Sequence, residues 1–145
     1  NKAGAVARYA DVVESLDRPK LVGRLDRGAQ ERGRPVDVLL QVSLDPPGAE
    51  HRAGAEPDDL AVLAESVASA EHLRLRGLMA VAPLGEEPSS AFARLAEVRA
   101  HFLDQHPSAD LLSAGMSGDL EAAIAIGATH VRVGSAILGS RPLHR

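Results

Sequence analysis

The stretch LLSAGMSGDLEAAIAIGATHVRVGSAILGSRP, residues 111–142, is the part of this sequence that decides its fold. Two turns of small residues, GMSGD at 115–119 and GSAILGS at 134–140, flank a short alanine-rich segment. Each turn follows an apolar run of the length expected for a buried strand. Arg132 stands between two valines in the second run, so a charge is predicted inside a sheet.

Outward from this stretch, apolar runs alternate with amphipathic segments along the chain. The alternation of strands with helices is typical of βαβ units and a parallel sheet. Periodicity leaves two architectures open: an open doubly wound sheet, or part of a (β/α)8 barrel, which takes ~250 residues when whole. The pattern predicts strands at 11–16, 35–44, 75–83, 109–115 and 129–136, and helices at 20–33, 58–73, 89–106 and 118–127.

Length and composition limit the possible partners. The 145 residues fit one domain with its own core. A net charge of −4 argues against a nucleic-acid surface. The chain has no cysteine, its six histidines lack metal-ligand spacing, and no apolar run approaches the ~18 residues of a membrane helix. No nucleic acid, membrane or metal partner is therefore expected.

Both turns fall where parallel α/β sheets bind ligands, beyond the carboxyl ends of strands. Backbone N–H groups in such turns suit a phosphate, and glycine lets the anion approach. Ser117, Gly134 and Ser135 are therefore candidates to hold a phosphate. Two alternatives remain open, because Ser117 also fits a helix N-cap and Gly134-Ser135 also fits a plain turn that ends a strand.

Arg132 is a candidate for the same site. Strand alternation directs the flanking valines toward the helices and Arg132 toward the opposite face, which is the lumen in a barrel. An unpaired guanidinium there is costly, so either a ligand anion or a structural ion pair is expected. Gln41 and Ser43 share one face of their strand and are further candidates to line a ligand cavity.

Residues 112–139 closely resemble the signature region of the pyridoxal phosphate homeostasis proteins, a family with an alanine-racemase-like barrel. The strand containing RGLM, at 76–79, and the strand VDVLLQVSLD, at 36–45, are similar to two strands of that family. HRAGA at 51–55 resembles its K-x-G loop, with Arg52 where lysine is usual, and NK at 1–2 resembles the end of its LQSNK motif. The resemblance covers essentially the whole chain.

The resemblance implies a single incomplete domain over residues 1–145, built from about the last five β/α units of a (β/α)8 barrel of the alanine racemase N-terminal domain type. It also implies a cytoplasmic, non-catalytic protein that binds pyridoxal 5′-phosphate. Ser117, Gly134 and Ser135 would hold the phosphate, and Arg132 would face the pyridine nitrogen and keep it unprotonated. No catalytic residue is expected, and the full-length protein is expected to be a monomer or weak dimer.

The sequence departs from the family in its lysines. The family's Schiff-base lysine lies on the first barrel strand, whereas this sequence is expected to start after the third. Lys2 and Lys20 are the only lysines present. Neither matches the family residue, because Lys2 belongs to the SNK motif and Lys20 opens a helix. An N-terminally truncated sequence is therefore expected, with a cofactor half-site, no covalent anchor and open sheet edges at 11–16 and 129–135.

Two other functions remain as alternatives. An amino-acid racemase of this fold needs a second, β-rich domain and a catalytic tyrosine, whereas Tyr9 is the one tyrosine present and lies near the start. A phosphate-binding barrel enzyme acting on a sugar phosphate or flavin would need carboxylate or lysine catalysts at strand ends. The sequence offers no convincing candidates for these.

Overall fold

The computed structural model describes residues 2–46 and 53–139 of the chain. Strands and helices alternate along most of it, as predicted. Short 3-10 turns at Pro19–Leu21 and Pro57–Asp59 lead into two of the helices. In chain order the elements are α1 (Ala3–Ala7), β1 (Val12–Leu16), α2 (Val22–Arg32), β2 (Val36–Gln41), α3 (Leu60–Ala68), β3 (Leu73–Met79), α4 (Pro88–Gln105), β4 (Leu111–Met116), α5 (Leu120–Ala125), β5 (His130–Arg132) and α6 (Ser135–Leu138).

The five strands form one parallel sheet in the order β1-β2-β3-β4-β5. Strands that pair in sequence order build the wall of a (β/α)8 barrel, whereas a doubly wound sheet reverses its order partway. The fold is therefore a curled half-barrel, and the prediction of adjacent, parallel strands is confirmed. β1 and β5 are the edges of this sheet, also as predicted.

An apolar layer between the sheet and its helices holds the fold together. On β2, Val36, Val38 and Leu40 are fully buried in this layer, which follows the two-residue period of a strand. Each such side chain contributes about 1.5–3 kcal/mol when it is buried. The helices supply matching apolar positions, which on α3 are Leu60, Leu63, Ala64 and Val67.

The amino-terminal helix α1 is absent from the sequence prediction. Five residues are too few to form a helix from local preference alone, so tertiary packing must stabilise it. α1 lies against α2 at Gly28, where an added Cβ would approach the Gly4 carbonyl oxygen to 2.4 Å. Close backbone contact therefore replaces the apolar stripe that the sequence pattern would reveal.

Three element ends show how local bonding sets the boundaries. Gly33 ends α2 with a φ of 79°, as its predicted C-terminal glycine role requires. The predicted helix 58–73 is too long, since α3 ends at Ala68 and the Ser69 hydroxyl bonds to the Glu65 carbonyl. The predicted strand 129–136 is also too long, since Gly134 accepts the amides of the next turn and the chain enters α6.

β3 contains an irregularity at the RGLM stretch. Val38 pairs with Leu75 but Leu39 pairs with Gly77, so Arg76 is an extra residue in this strand. Gly77 has a φ of 155°, and an added Cβ would lie 1.8 Å from the Leu111 carbonyl oxygen of β4. Glycine is therefore required here, because the two strands approach each other at this point.

In the described ranges, none of the helices combines the length and the apolar character needed to span a membrane.

Candidate functional site

Two turns meet at the carboxyl end of the sheet, one after β4 and one after β5. Ser117 lies in the first turn, and Gly134 and Ser135 lie in the second. The hydroxyl oxygens of Ser117 and Ser135 are 3.4 Å apart. The structure thus brings together the residues that the sequence analysis predicts to bind one phosphate, and their role in binding stays a prediction.

Asp119 closes the first turn from two sides. Its backbone amide donates to the Met116 carbonyl at 3.1 Å, and the Met116 amide donates to its Oδ1 at 2.6 Å. Asp119 also occupies the N-cap position of α5. The alternative interpretation of Ser117 as the N-cap is therefore wrong, and its hydroxyl faces Ser135 instead.

Glycines leave open space beside both turns. An added Cβ at Gly118 or Gly134 would meet no atom within 4 Å. At Gly115, by contrast, it would lie 2.7 Å from the Cβ of Ala123. Gly115 therefore serves the packing of α5 on β4, whereas Gly118 and Gly134 leave the backbone accessible to a ligand.

Two adjoining cavities at this end of the sheet contain residues that the sequence analysis identifies. The larger of these two, of about 510 Å³, lies beyond β2, β3 and β4 and is lined by Gln41 and Ser43, whose contact with a ligand stays a prediction. The smaller, of about 380 Å³, is lined by Ser117 and Gly118. Asp119 lines both, so the cavities adjoin. Each volume falls in the range of roughly 300–1,000 Å³ that small-molecule sites occupy.

Arg132 is half-buried on the concave face, as predicted. Its Nη1 donates to the Ser113 hydroxyl at 2.7 Å, and its Nη2 donates to the Ala80 carbonyl at 2.9 Å. Neither acceptor is charged, so these bonds are not the structural ion pair that the sequence left open. A guanidinium carries more N–H donors than these bonds use, so Arg132 keeps donors for a ligand.

Two polar residues linked to Arg132 by hydrogen bonds are absent from the candidate site residues of the sequence analysis. Ser113 is fully buried, and its hydroxyl donates to Oε2 of Glu14 at 2.8 Å. A carboxylate inside the apolar run DVVESL is the same kind of signal that identifies Arg132, so Glu14 could have been found from sequence. Ser113 carries no comparable signal, because a serine in a strand is common.

The remaining residues that the sequence analysis identifies lie outside the two turns or outside the described residues. Lys2 precedes α1 and Lys20 lies in the 3-10 turn after β1, and both are exposed. Arg52 and Asn1, which carry part of the family resemblance, lie outside the described residues. Tyr9 follows α1 and is 73% exposed.

One wall of the larger cavity is a segment that returns to the end of β2. The Ala55 amide donates to the Gln41 carbonyl at 2.7 Å, and the Gln41 side chain donates to the Ala53 carbonyl at 3.1 Å. The Gly54 amide donates to the Asp17 carboxylate at 3.4 Å. Asp17 therefore links the end of β1 to this wall.

Asp17→Asn is expected to reduce stability at about pH 7 by about 1 kcal/mol. Arg18 donates two hydrogen bonds to the Asp17 carboxylate, and these bonds, with the Gly54 amide, hold the pKa of Asp17 below its usual value. A lowered folded-state pKa stabilises the fold above the usual carboxyl pKa of about 3.9, and this contribution is lost as the pH falls through the folded-state pKa.

Urea unfolding at about pH 7 and about pH 2 measures this effect. The difference between Asp17→Asn and the original chain should shrink at the lower pH. The exposed Asp104, replaced by asparagine, is the matched control and should change little at either pH. An equal loss at both pH values for Asp17→Asn would contradict the expectation.

The chain is similar in sequence to proteins of known families. Residues 1–142 match the family described as alanine racemase, N-terminal domain. The pyridoxal phosphate homeostasis protein of Corynebacterium glutamicum is 45% identical over 150 residues, covering 98% of this chain and 66% of the relative. The protein of the same name from Pseudomonas aeruginosa is 42% identical over 141 residues, covering 97% and 60%.

A solved structure extends the similarity to three dimensions. PipY of Synechococcus elongatus PCC7942, with PLP bound, matches with a TM-score of 0.83 and 37% identity, covering 96% of this chain and 66% of PipY. The chain thus spans less than two thirds of these relatives. From the family match, the chain belongs to the alanine racemase N-terminal domain family, and the relatives that it resembles in sequence are pyridoxal phosphate homeostasis proteins.

Proposed function

We propose that this chain binds pyridoxal 5′-phosphate at the carboxyl end of its half-barrel and serves cofactor homeostasis in the cytoplasm without catalysing a reaction. The observation that carries the proposal is the approach of the Ser117 and Ser135 hydroxyls to 3.4 Å. The open glycines, Gly118 and Gly134, flank this pair, and Arg132 lies nearby on the concave face. The presence of PLP in the PipY structure supports the choice of ligand.

The residues of the two turns fit a phosphate group. Two hydroxyls at this separation can donate to different oxygens of one phosphate, and charge-assisted bonds of this kind are stronger than bonds between neutral groups. Gly118 and Gly134 have no Cβ to block the approach of the anion. We therefore assign the phosphate to Ser117, Gly134 and Ser135.

Arg132 fits the ring of the same ligand. A permanently charged donor that faces the pyridine nitrogen holds this nitrogen in its unprotonated form. When bound, the cofactor supplies an electron sink for carbanion chemistry, and an unprotonated ring nitrogen weakens that sink.

Binding within these 145 residues is expected to be reversible and weak. Lys2 and Lys20 are exposed and lie outside the two turns, so the ligand is held by hydrogen bonds and charge. Such contacts correspond to a dissociation constant in the millimolar range, or about −4 kcal/mol.

Arg132→Ala and Ser117→Ala are each expected to weaken binding of pyridoxal 5′-phosphate at least about tenfold. Each removes one hydrogen bond that involves a charged group, which contributes about 1.5–3 kcal/mol. NMR titration of the 145-residue chain measures the dissociation constants. Ser90→Ala, which changes an exposed serine of α4, is the matched control and should leave them unchanged.

Comparison with pyridoxal, which lacks the phosphate, separates the two parts of the proposed site. Ser117→Ala should abolish most of the preference for the phosphorylated form, whereas Arg132→Ala should retain it. Unchanged dissociation constants in both variants would overturn the proposed site.

A further inference from the structure

A chain of hydrogen bonds crosses the concave face and ends at Arg132. The Ser113 hydroxyl of β4 donates a hydrogen bond to the Glu14 carboxylate of β1 at 2.8 Å. The same hydroxyl oxygen accepts a hydrogen bond from Arg132 Nη1 of β5 at 2.7 Å. Arg132 Nη2 donates to the carbonyl of Ala80, after β3, at 2.9 Å. The two edge strands of the sheet are thus joined through a single hydroxyl group.

The Ser113 hydroxyl is fully buried and has one proton to donate. Because this proton points to the Glu14 carboxylate in a hydrogen bond, the hydroxyl oxygen presents a lone pair to the guanidinium. Without the carboxylate, the hydroxyl proton could rotate toward Arg132 and oppose its N–H group. The orientation of the hydroxyl, and with it the position of the guanidinium, therefore depends on Glu14.

Charge supports the same conclusion. Arg132 and Glu14 carry opposite charges and are separated by one hydroxyl group. A half-buried guanidinium is less costly to hold in a fixed place when a carboxylate lies close behind it. The Ala80 carbonyl and the Ser113 hydroxyl each accept a hydrogen bond from one terminal nitrogen of Arg132, and together they fix the plane of the guanidinium.

We propose that Glu14, acting through the Ser113 hydroxyl, is a positioning residue that fixes Arg132 for the pyridine ring of the ligand. This inference rests on the proposed function for its consequence in binding. The orientation of Arg132 itself is a property of the protein without ligand and can be tested separately.

The first experiment observes Arg132 directly, without ligand. The side-chain N–H signals of Arg132 in the 15N-labelled chain are assigned by their loss in Arg132→Lys. Two fixed acceptors slow rotation of the guanidinium, so its Nη protons should be resolved in the original chain and should merge in Glu14→Gln and Ser113→Ala. Glu14→Gln preserves the size of a half-buried side chain, so the variant is expected to fold, and it removes the negative charge and replaces one acceptor oxygen with an N–H donor that can face the Ser113 hydroxyl.

The second experiment measures binding of two probes, pyridoxine 5′-phosphate and inorganic phosphate. Pyridoxine 5′-phosphate has the ring but no aldehyde, so the measurement does not involve lysine. Glu14→Gln should weaken its binding about fivefold and leave phosphate binding within about twofold, because only the ring contact depends on Arg132. The double variant Glu14→Gln/Arg132→Ala should bind no more weakly than Arg132→Ala alone.

Asp37→Asn is the matched control. Asp37 is also a strand carboxylate bonded to an arginine, Arg74, at 2.6 Å, but it lies on β2. Its replacement should change neither the Arg132 signals nor the ratio of the two affinities.

Several results would overturn the inference. These are unchanged Arg132 signals in both Glu14→Gln and Ser113→Ala, an equal loss of both probes in Glu14→Gln, and a further loss in the double variant. If Arg132→Ala leaves pyridoxine 5′-phosphate binding unchanged, the proposed contact of Arg132 with the ring fails instead, and the ligand-free signals still decide whether Glu14 positions Arg132.

Discussion

Gly77→Ala is expected to prevent the chain from folding. The added methyl group would lie 1.8 Å from the Leu111 carbonyl oxygen, far inside the contact distance. The φ of 155° at this position is also one that residues with a side chain rarely adopt. Relief would require β3 and β4 to separate where Gly77 pairs with Leu111. We expect a loss of more than about 5 kcal/mol, which is comparable to the whole stability of a small domain.

Gly33→Ala is the matched control for this substitution. Gly33 also has a positive φ, 79°, but an added Cβ there would meet no atom within 4 Å. It should therefore cost only the backbone strain, about 1–2 kcal/mol. Circular dichroism and urea unfolding compare the two variants. A Gly77→Ala chain within about 2 kcal/mol of the original would contradict the close approach of β3 and β4.

Borohydride reduction in the presence of pyridoxal 5′-phosphate is expected to label neither Lys2 nor Lys20 stoichiometrically. Efficient covalent attachment requires an amine that is held beside the aldehyde. Lys2 and Lys20 are exposed, and neither lies in the turns that contain Ser117 and Ser135. Peptide mass mapping after reduction measures the labelled fraction of each lysine.

Synthetic peptides that span Lys2 or Lys20 provide the control at the same concentrations. The lysines of the folded chain should be labelled no more than those of the peptides, because neither setting holds the amine in place. Labelling of Lys2 or Lys20 at least about tenfold above its peptide would show a specific covalent site and overturn the expectation.

Much of the fold could be predicted from sequence because its signals are local. The run VDVLLQ predicts β2 from alternation and apolar content, and Gly33 ends α2 as its position suggests. α1 could not be predicted, because its packing depends on close contact between Gly4 and Gly28, which are distant in sequence. Long-range contacts leave little trace in a short pattern.

The candidate site divides in the same way. The small-residue turns identify Ser117, Gly134 and Ser135, and alternation places Arg132 on the concave face. The pairing of Arg132 with Ser113 could not be predicted, because a serine in a strand is common, and neither could the bond from Ser113 to Glu14, which spans 99 residues of sequence. The predicted length of β5 was wrong for a different reason. The hydrogen bonds that turn the chain into α6 involve backbone groups, which any residue carries.

The order of the strands also has a consequence for how the half-barrel folds. Each strand pairs with the strand that follows it in the chain, so the sheet can grow one unit at a time, starting from the amino terminus during synthesis. The bond between Glu14 and Ser113 closes a loop of 99 residues, about three to six times longer than the loops between paired residues of neighbouring strands. Two doublings of loop length add only about 1.2 kcal/mol of closure entropy, so this late step is inexpensive. Arg132 is synthesised after Glu14 and Ser113, so its acceptor has already been made when β5 joins the sheet.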